Sequence, residues 1–447
     1  MQAVIMAGGK GTRLSSVLKY IPKPMVNFAG RPLLAHQIEN LRSNGITDII
    51  LVIGYLGEVI REYFGDGRKF GVNINYFTET EPLGTAGALY YLKEQLTEDF
   101  LLVFGDLYLN INFRRFYDFH KSKNARMTLY AHPNSHPCDS DLIVANKDGV
   151  ITAWSFKNTE RPDYYNNLVN AGVYVISPSI LGKIPPGRKT DLEKDFIVPS
   201  IPEGRIYAYR STEYVKDIGT PERLRKAEAD FQSGITGQRN LEKKQKCIFL
   251  DRDGTVNRHV GFLQEAEQMV LESSAAEAIR LINESEYLAI IISNQPVIAR
   301  GECTLEELEH IHERMYALLG QEGAYVDDLY FCPHHPDRGF KGEIVELKVY
   351  CNCRKPGTGM IEHAAQEHNL DLQASWIIGD TTVDIQTGRN AGLKTGLVLT
   401  GEAGRDGKYD VKPDLVQKDL LSCVKHILNK VEGEHEEENE GTDQGIF

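Results

Sequence analysis

The chain has 447 residues, of which 41% are hydrophobic and 25% are charged, and its formal net charge is −13. This length predicts two or three domains, each long enough to bury its own core. The negative charge argues against a nucleic-acid-binding protein, and the absence of any apolar run of about 18 residues argues against a membrane span. Seven cysteines, three of them within residues 332–353, favour a metal site over a disulfide framework and predict a cytoplasmic protein.

A glycine-rich loop follows the first predicted strand. Residues 3–6 (AVIM) are apolar, and AGGKGTRL comes directly after them. Glycines let a backbone approach an anion closely, successive N–H groups can surround phosphates, and Arg13 adds a planar cation. On its own the loop is explained equally well as a structural turn, since it is neither GxxxxGK[ST] nor GxGxxG. The candidate nucleotide-binding residues are Ala7, Gly8, Gly9, Gly11 and Thr12.

A lysine between two prolines strengthens the nucleotide interpretation. In IPKPM, Pro22 and Pro24 restrict the backbone, so Lys23 is presented with little freedom. The combined pattern GGxGTRL…PKPM resembles the sugar-1-phosphate nucleotidylyltransferases, over about residues 1–230. The resemblance implies that Arg13, Lys23 and Lys157 neutralise charge while a sugar phosphate oxygen attacks the α-phosphorus of a nucleoside triphosphate and pyrophosphate leaves.

Strand-like runs alternate with helix-like runs through this half, which is typical of an α/β domain with a mostly parallel sheet. The strand-like runs are Ile49–Ile53, Ile74–Phe77, Phe100–Phe104 and Met127–Ala131. Asp106 and Asp217 each lie at a predicted strand end. A single aspartate there is usually a helix cap, but two can share one Mg²⁺ that bridges two phosphates. The resemblance implies that Asp106 and Asp217 form this magnesium pair.

Small residues dominate the segment LGTAGAL, from Leu83 to Leu89. They permit a flat nucleobase to lie against the backbone; tight helix packing is the alternative, and both can hold. The resemblance implies that Gly84 and Thr85 contact the nucleotide. Phe156 stands where the family often has glutamate before its sugar-phosphate lysine. The sugar-phosphate site implied by the resemblance consists of Lys157, Asn170, Gly172 and Glu193.

The second half is organised around CIFLDRDGTVN, residues 247–257. Its apolar start predicts a buried strand. Asp251 and Asp253 follow at the carboxyl end of that strand, which is where α/β sheets bind ligands. One carboxylate can attack phosphorus while the other transfers a proton, and together they can hold Mg²⁺. A strand followed by an ordinary Asp-Gly turn is the alternative interpretation.

Three further motifs follow in order, each near the end of a predicted strand or in a basic loop. They are Ser293-Asn294, Arg354-Lys355-Pro356, and Asp380 with Asp384 four residues on. A hydroxyl at a strand end can bind a phosphate oxygen, and a carboxylate after the third strand can complete a Mg²⁺ site with Asp251. The ordered set, over residues 247–400, resembles the haloacid-dehalogenase-like (HAD-like) phosphatases.

This second resemblance implies an aspartyl-phosphate mechanism. Asp251 would be the nucleophile, and Asp253 would protonate the leaving alcohol and then activate water. Lys355 would shield the charge of the phosphoryl group. The implied phosphate contacts are Ser293, Asn294 and Arg354, and the implied Mg²⁺ ligands are Asp251, Asp253 and Asp380.

Three cysteines and one histidine in the pattern CxH…CxC have the ligand types of a closed tetrahedral zinc site. These predicted Zn²⁺ ligands are Cys332, His334, Cys351 and Cys353. Two cysteine clusters without metal are the alternative. A zinc loop that leads directly into Arg354 resembles one branch of the phosphatases, the heptose 1,7-bisphosphate 7-phosphatases and histidinol phosphatases. Pro296-Val297 and Thr381 depart from that branch, which concerns substrate detail and not the chemistry.

The predicted organisation is a transferase domain at residues 1–232, a linker at 233–246, a phosphatase domain at 247–430 and an acidic, disordered tail at 431–447. Both domains are expected to be Rossmann-like α/β domains with mostly parallel sheets. The linker is polar and contains two Ser/Thr-Gly pairs, and the tail has seven acidic residues without Lys or Arg.

The fusion of the two domains indicates consecutive reactions, because a heptose 7-phosphatase makes the heptose 1-phosphate that a nucleotidylyltransferase consumes. We therefore expect D-glycero-D-manno-heptose 1,7-bisphosphate and a nucleoside triphosphate, with GTP favoured, as substrates. The sequence leaves a homo-oligomer open. One alternative is a nucleotidylyltransferase for another hexose 1-phosphate fused to a histidinol-phosphatase-like enzyme. Another is that one half has become a regulatory module, against which the intact candidate catalytic residues argue.

Overall fold

The computed structural model describes residues 1–9 and 21–429. The predictions at Gly11, Thr12, Arg13 and the acidic tail lie outside these residues. The chain divides into two compact units. Unit 1 comprises Met1–His132, Asp141–Thr159 and Leu168–Glu242. Unit 2 comprises Pro133–Ser140, Glu160–Asn167 and the described residues from Lys243 onward.

The strands of unit 1 alternate with helices, as an α/β fold requires. The strands are β1 (Ala3–Met6), β2 (Asn27–Phe28), β3 (Arg31–Pro32), β4 (Asp48–Ile53), β5 (Asn73–Thr78), β6 (Phe100–Phe104), β7 (Leu107–Asn110), β8 (Met127–His132), β9 (Leu142–Ala145), β10 (Ile151–Ser155), β11 (Val169–Ile176), β12 (Ile206–Arg210) and β13 (Tyr214–Asp217). The helices include α1 (Leu33–Ser43), α2 (Gly57–Phe64), α3 (Gly87–Leu92), α4 (Phe113–Ser122), α5 (Val198–Ser200), α6 (Pro221–Gln232) and α7 (Ile235–Gln238).

The main sheet of unit 1 has nine strands, seven of them in the order β10-β9-β11-β6-β1-β4-β5, and β8 joins β11 to β12. The strands β6, β1, β4 and β5 are parallel, whereas β11 is antiparallel to β6 and β8. Alternate residues of β1 face the two sides: Ile5 packs in one apolar cluster and Val4 in another. A strand buried on both faces reads as a continuous apolar run, which is why residues 3–6 were predictable.

Unit 2 contains a six-stranded, fully parallel sheet in the order β16-β15-β14-β17-β18-β19. Its strands are β14 (Lys246–Leu250), β15 (Tyr287–Asn294), β16 (Asp328–Cys332), β17 (Trp376–Gly379), β18 (Lys394–Val398) and β19 (Leu415–Gln417). Its helices include α8 (Ala275–Asn283), α9 (Pro296–Ala299), α10 (Leu305–Gln321), α11 (Gly359–Glu367) and α12 (Thr382–Ala391). Three central strands therefore end at Leu250, Asn294 and Gly379, directly at the predicted catalytic motifs.

Two features of the chain path are not evident from the sequence. Segments 133–140 and 160–167, which flank β9 and β10, belong to unit 2. Within the predicted linker, α7 packs in unit 1, where Tyr108 donates a hydrogen bond to Thr236 Oγ1 at 3.4 Å. The division between the units at Glu242 and Lys243 falls inside the predicted linker. Among the helices in the described ranges, none combines the length and hydropathy needed to cross a bilayer.

Candidate active sites

The first site lies where β1, β6 and β13 end. Lys23 Nζ donates a hydrogen bond to Asp106 Oδ2 at 2.5 Å and lies 3.5 Å from Asp217 Oδ1. Arg223, near the start of α6, donates to Asp217 Oδ2 at 2.7 Å. Thr220 caps α6 by accepting a hydrogen bond from the Arg223 N–H. The structure thus brings together Lys23, Asp106 and Asp217, which come from distant parts of the sequence.

The donor set of this site fits a hard divalent cation. Both acids offer carboxylate oxygens, the ligands that Mg²⁺ prefers in proteins. Asp217 Oδ1 is buried and has no hydrogen-bond partner among the described residues. A Cβ on Gly219 would lie 2.8 Å from that oxygen and 3.1 Å from Lys23 Nζ, so glycine keeps this space open. Asp106 and Asp217 would hold the cation.

The start of the glycine loop lies beside an acid that the sequence analysis did not single out. Ala7 is buried and its N–H donates to Val52 O at 2.8 Å. A Cβ on Gly8 would lie 2.5 Å from Glu79 Oε2. A Cβ on Gly9 would have no atom of the described residues within 4 Å, apart from its chain neighbours. Glu79 Oε1 accepts a hydrogen bond from Leu83 N at 3.3 Å. Burial raises the pKa of Glu79.

The segment LGTAGAL packs tightly against residues 188–192. A Cβ on Gly84, whose φ is +80°, would lie 2.4 Å from Thr190 O, so only glycine fits this backbone position. Thr85 Oγ1 accepts a hydrogen bond from Leu192 N at 2.7 Å. These contacts match the tight-packing interpretation, and they position the residue that follows, Glu193. A contact of Gly84 or Thr85 with the nucleotide stays a prediction.

Glu193 belongs to a buried polar network with two residues of β11. Tyr174 Oη donates to Glu193 Oε1 at 2.8 Å, and Asn170 Nδ2 lies 3.4 Å from the same oxygen. Burial raises the pKa of Glu193 to about 7. Gly172 N donates to Asn170 Oδ1 at 3.3 Å, so three of the predicted sugar-site residues lie together. The fourth, Lys157, is exposed after β10, and its N–H donates to Asp141 Oδ1 at 2.8 Å.

The second site lies at the carboxyl end of the unit 2 sheet. Lys355 is buried, and its Nζ donates to Asp251 Oδ1 at 2.7 Å and to Asp384 Oδ1 at 2.6 Å. Asp384 also forms the capping box of α12 with Thr381. Asp251, Asp380 and Asp384 place carboxylate oxygens within 4.8 Å of one another. One ammonium therefore faces three acids.

This excess of negative charge fits a Mg²⁺ ion. Burial and the charge of Asp384 raise the pKa of Asp251, and the same two causes raise the pKa of Asp380 to about 7. Asp380 Oδ1 is buried without a hydrogen-bond partner among the described residues. A Cβ on Gly254 would lie 2.3 Å from Asp380 Oδ2, so the turn after Asp253 must be glycine. Asp251, Asp380 and Asp384 would hold the cation.

The Asp253 side chain lies apart from this group, contrary to its predicted role as a Mg²⁺ ligand. Arg252 is fully buried, and its Nη2 donates to Asp253 Oδ1 at 3.0 Å and to Oδ2 at 2.9 Å. Gln295 and Asn257 each donate a further hydrogen bond to the Asp253 carboxylate at 3.0 Å. The Arg252 charge and these donors outweigh burial and lower the pKa of Asp253. Asp384, rather than Asp253, completes the group of three carboxylates with Asp251 and Asp380.

The remaining predicted phosphate contacts have clear partners. Asn294 accepts a hydrogen bond from Lys355 N at 2.9 Å and donates one to Lys355 O at 3.1 Å, so it fixes the lysine backbone. Ser293 Oγ accepts from Gln295 Nε2 at 2.7 Å. Arg354 Nη1 donates to His334 O at 3.1 Å. Asn294 therefore acts here as a positioning residue.

The four predicted zinc ligands converge. The Cys332 and Cys353 sulfurs lie 3.2 Å apart, those of Cys351 and Cys353 3.3 Å, and those of Cys332 and Cys351 3.6 Å. His334 Nδ1 lies 3.3 Å from Cys353 Sγ and 3.5 Å from Cys332 Sγ. Ligands of a tetrahedral Zn²⁺, with Zn–S distances of about 2.3 Å, have this type and proximity. The set therefore fits a structural zinc ion.

A further group of acids and histidine in unit 2 does not fit a metal. Asp328, Glu367 and His368 place ligand atoms within 4.8 Å of one another. However, the Tyr330 hydroxyl lies 2.9 Å, 2.7 Å and 3.1 Å from those three atoms, respectively. The phenol oxygen occupies the centre that a cation would need, so this group is a hydrogen-bonded cluster.

Two known protein families match parts of the chain that include residues of the two sites. Residues 2–234 match the nucleotidyl transferase family, which is more than half of the chain. The chain belongs to the nucleotidyl transferase family. The match spans the Lys23–Asp106–Asp217 site of unit 1. Residues 352–423 match the HAD-hydrolase-like family, and they include Lys355, Asp380 and Asp384.

The chain is similar to proteins of known name, among them a guanylyltransferase and a phosphatase. It is 33% identical over 238 residues to a mannose-1-phosphate guanylyltransferase of Mycobacterium tuberculosis, covering 53% of this chain and 66% of that protein, which is slightly under two thirds. The solved structure of HddC from Yersinia pseudotuberculosis is 28% identical over 52% of this chain and 99% of its own, with a TM-score of 0.45. A D,D-heptose 1,7-bisphosphate phosphatase from B. bronchiseptica is 30% identical over 42% of this chain and 99% of its own, with a TM-score of 0.37.

Unit 2 also contains a group of three cationic side chains near Phe340 and His335. Arg300 lies over the Phe340 ring, with its guanidinium carbon 4.5 Å from the ring centroid, and contacts His335 Nε2 at 3.3 Å. Lys348 Nζ lies 4.4 Å from the same centroid and 3.6 Å from Glu343 Oε2. Burial, followed by the charges of Arg354 and Arg300, lowers the pKa of His335. We call Arg300, Lys348 and Arg354 the cation cluster.

Two nitrogen atoms of the cation cluster are buried donors that make no hydrogen bond to the described residues. The Lys348 side chain is 0% exposed, and its Nζ has no hydrogen-bond partner among the described residues. The same holds for Arg300 Nε. The sequence analysis missed Arg300, Lys348, Glu79 and Arg223. Of these four, Arg300 alone lies in a motif, IARGE at residues 298–302, that also resembles the phosphatase branch.

Proposed function

We propose that the chain performs two consecutive steps of nucleotide-sugar synthesis. The HAD-like domain removes the 7-phosphate of D-glycero-D-manno-heptose 1,7-bisphosphate, and the nucleotidyl transferase domain transfers GMP from GTP to the resulting heptose 1-phosphate. The observation that carries this proposal is the cation cluster, because it supplies a place for a second phosphate beside the hydrolytic site. Arg354 adjoins Lys355, whose ammonium contacts the nucleophile Asp251.

The cation cluster also discriminates between the candidate phosphatase substrates. Lys348 Nζ has Glu343 Oε2 at 3.6 Å but no hydrogen bond, and Arg300 Nε has no hydrogen bond among the described residues, so these buried donors favour an anionic ligand. An arginine guanidinium can bind a phosphate through two parallel hydrogen bonds. Histidinol phosphate carries an ammonium group on the carbon beside its phosphate ester and an imidazole at its far end, so it offers the three cations no second anion. A sugar bisphosphate presents its second phosphate there instead.

The phosphatase reaction proceeds in two steps. An Asp251 carboxylate oxygen attacks phosphorus and forms an aspartyl-phosphate, while the bond to the sugar oxygen breaks. That oxygen takes a proton from Asp253, which must first be protonated against its lowered pKa. Asp253 then takes a proton from the water that hydrolyses the intermediate. Lys355 neutralises phosphoryl charge, and its ammonium opposes the rise in the Asp251 pKa that burial and Asp384 cause. A Mg²⁺ ion held by Asp251, Asp380 and Asp384 would offset the charge of the phosphoryl oxygens.

The transferase reaction needs no covalent intermediate. A phosphate oxygen of the sugar 1-phosphate attacks the α-phosphorus, and the bond to pyrophosphate breaks. Lys23 neutralises charge on the triphosphate, and Glu193 accepts hydrogen bonds from sugar hydroxyls. Asp106 and Asp217 would hold a Mg²⁺ ion, which would offset the charge of the phosphates. Relatives named mannose-1-phosphate guanylyltransferases support a hexose-like or heptose-like acceptor.

Glu79 supports guanine as the base. Its Oε2 lies beside the glycine loop, at the mouth of the predicted nucleotide site. Guanine presents two adjacent donors, N1–H and the exocyclic amino group, which a carboxylate accepts together. Adenine presents an acceptor at N1, which a carboxylate repels. The names of the curated relatives agree with this choice.

We further infer that the Cys332–Cys353 loop binds a structural zinc ion and that the protein functions in the cytoplasm. All seven cysteines are free thiols in the structure, which suits a reducing compartment. A homo-oligomer stays a prediction.

The test is an assay of the full chain with the heptose bisphosphate, Mg²⁺ and each nucleoside triphosphate in turn. Phosphate release without nucleotide, followed by pyrophosphate release with GTP, is expected. Mannose 1-phosphate and histidinol phosphate serve as matched competitors for the two sites. Turnover of histidinol phosphate but not of the bisphosphate would contradict the phosphatase assignment, and pyrophosphate release with mannose 1-phosphate alone would contradict the acceptor.

A further inference from the structure

We propose that Lys23 holds the place of the divalent cation in the transferase site, so that this site takes its metal only together with the triphosphate. The proposal rests on the proposed nucleotidyl transfer. It concerns the order in which charges enter the site, and it assigns Lys23 a role before the reaction begins.

The geometry of Lys23 carries the proposal. Its ammonium lies 2.5 Å from Asp106 Oδ2 and 3.5 Å from Asp217 Oδ1, between the two acids that would hold a metal. The lysine begins a short 3₁₀ turn, Lys23–Met25, that includes Pro24, so its backbone cannot easily withdraw. The side chain is only 11% exposed. A divalent cation and this ammonium cannot occupy the same space.

The charge balance of the site leads to the same conclusion. Among the described residues of the site, Asp106 and Asp217 carry two negative charges, and Lys23 and Arg223 supply two positive ones. A free divalent cation would therefore enter a neutral cluster and meet two like charges at short range. A triphosphate changes this balance because it brings several negative charges and offers Lys23 new partners. Once Lys23 turns to the phosphates, both carboxylates are available to the metal.

The carboxylate of Asp217 is already oriented to bind a metal ion once Lys23 moves away. Its Oδ2 is held by Arg223 at 2.7 Å, which leaves Oδ1 buried without a hydrogen-bond partner among the described residues. Gly219 provides the room, since a Cβ there would approach both Asp217 Oδ1 and Lys23 Nζ. The site thus contains one oriented ligand oxygen and an ammonium that can leave.

The consequence is a reciprocal coupling between metal and nucleotide. A ligand that removes Lys23 from the acids raises the affinity for the metal, and the metal must raise the affinity for that ligand by the same factor. We expect a coupling on the order of tenfold or more, within the usual range for linked sites.

Mn²⁺ binding to the full, zinc-loaded chain tests the proposal, with electron paramagnetic resonance as the readout of free Mn²⁺. Without nucleotide, the wild type should show one site, that of unit 2. Lys23→Met should gain a second site, Lys23→Arg should not, and Lys23→Met combined with Asp106→Asn should lose it again. The unit 2 site is common to all four proteins, so the difference between them reports on unit 1.

A second measurement does not depend on any variant. Titration of the wild type with Mn²⁺, with and without a non-hydrolysable GTP analogue, should show the second site only when the analogue is present. Mn²⁺ bound at Asp106 and Asp217 of the wild type without nucleotide would overturn the proposal, as would nucleotide affinity that is independent of metal. If no nucleoside triphosphate analogue binds, the proposed transferase function itself fails.

Discussion

Glu193 illustrates at the residue scale how burial sets the chemistry of a sugar site. Its carboxylate is held by Tyr174 and Asn170, and burial raises its pKa to about 7. The ionised form is the better acceptor for sugar hydroxyls, because hydrogen bonds to charged groups are stronger. An acid with a raised pKa loses its charge as the pH falls through that value, so substrate binding should weaken below about pH 7.

We predict that the KM for the sugar 1-phosphate rises as the pH falls from 8 to 6, while kcat changes less. Glu193→Gln should raise KM on the order of tenfold at pH 8, equivalent to about 1.4 kcal/mol, and flatten this pH dependence. Steady-state pyrophosphate release across the pH range measures both. The substrate phosphate also titrates, near pH 6, and the Gln variant isolates that contribution. An unchanged pH profile in Glu193→Gln would exclude Glu193 as its source.

At the scale of elements, the segment between β16 and α11 that carries the four predicted zinc ligands supports the phosphatase site. It carries Lys348 and Arg354 and leads directly into Lys355, whose ammonium holds Asp251 and Asp384. The four predicted zinc ligands lie together in a segment with little regular structure, and a structural zinc ion bound there would contribute folding energy.

Removal of zinc should therefore abolish phosphate release and leave pyrophosphate release from supplied heptose 1-phosphate unchanged. The measurement is dialysis against a chelator, return of Mg²⁺ alone, and assay of both products together with zinc content. Cys351→Ser should reproduce the loss, and Cys138→Ser, at an exposed cysteine outside the cluster, is the matched control. Full phosphatase activity in zinc-free protein would show that the loop holds its shape without metal.

The elements also show why some features were predictable and others were not. Asp251, Asp380 and the parallel sheet of unit 2 follow from apolar runs that end in acids, because strand ends meet at one edge. The Asp253 side chain lies outside the group of Asp251, Asp380 and Asp384 because the adjacent residue, Arg252, folds back onto its carboxylate, and its role as a metal ligand stays a prediction. Glu79 acquires its surroundings beside Gly8 from a chain segment distant in sequence, so no local pattern could indicate it.

At the scale of the whole molecule, one chain combines two units whose proposed reactions share an intermediate. The transferase family match ends at residue 234, and the catalytic motif of unit 2 begins shortly afterwards, at β14. Segments 133–140 and 160–167 belong to unit 2 although they interrupt the transferase sequence. The second of these lies between Lys157 and Asn170, two predicted sugar-site residues. Domain boundaries drawn from composition alone place these segments in the first domain.

The central claim is that two separate sites act in sequence, and Asp251→Asn tests it most directly. This substitution removes the nucleophile without changing the unit 1 site. With heptose bisphosphate and GTP, the variant should release neither phosphate nor pyrophosphate. With heptose 1-phosphate and GTP, it should release pyrophosphate at the wild-type rate. Loss of pyrophosphate release from heptose 1-phosphate in a folded Asp251→Asn protein would contradict the account.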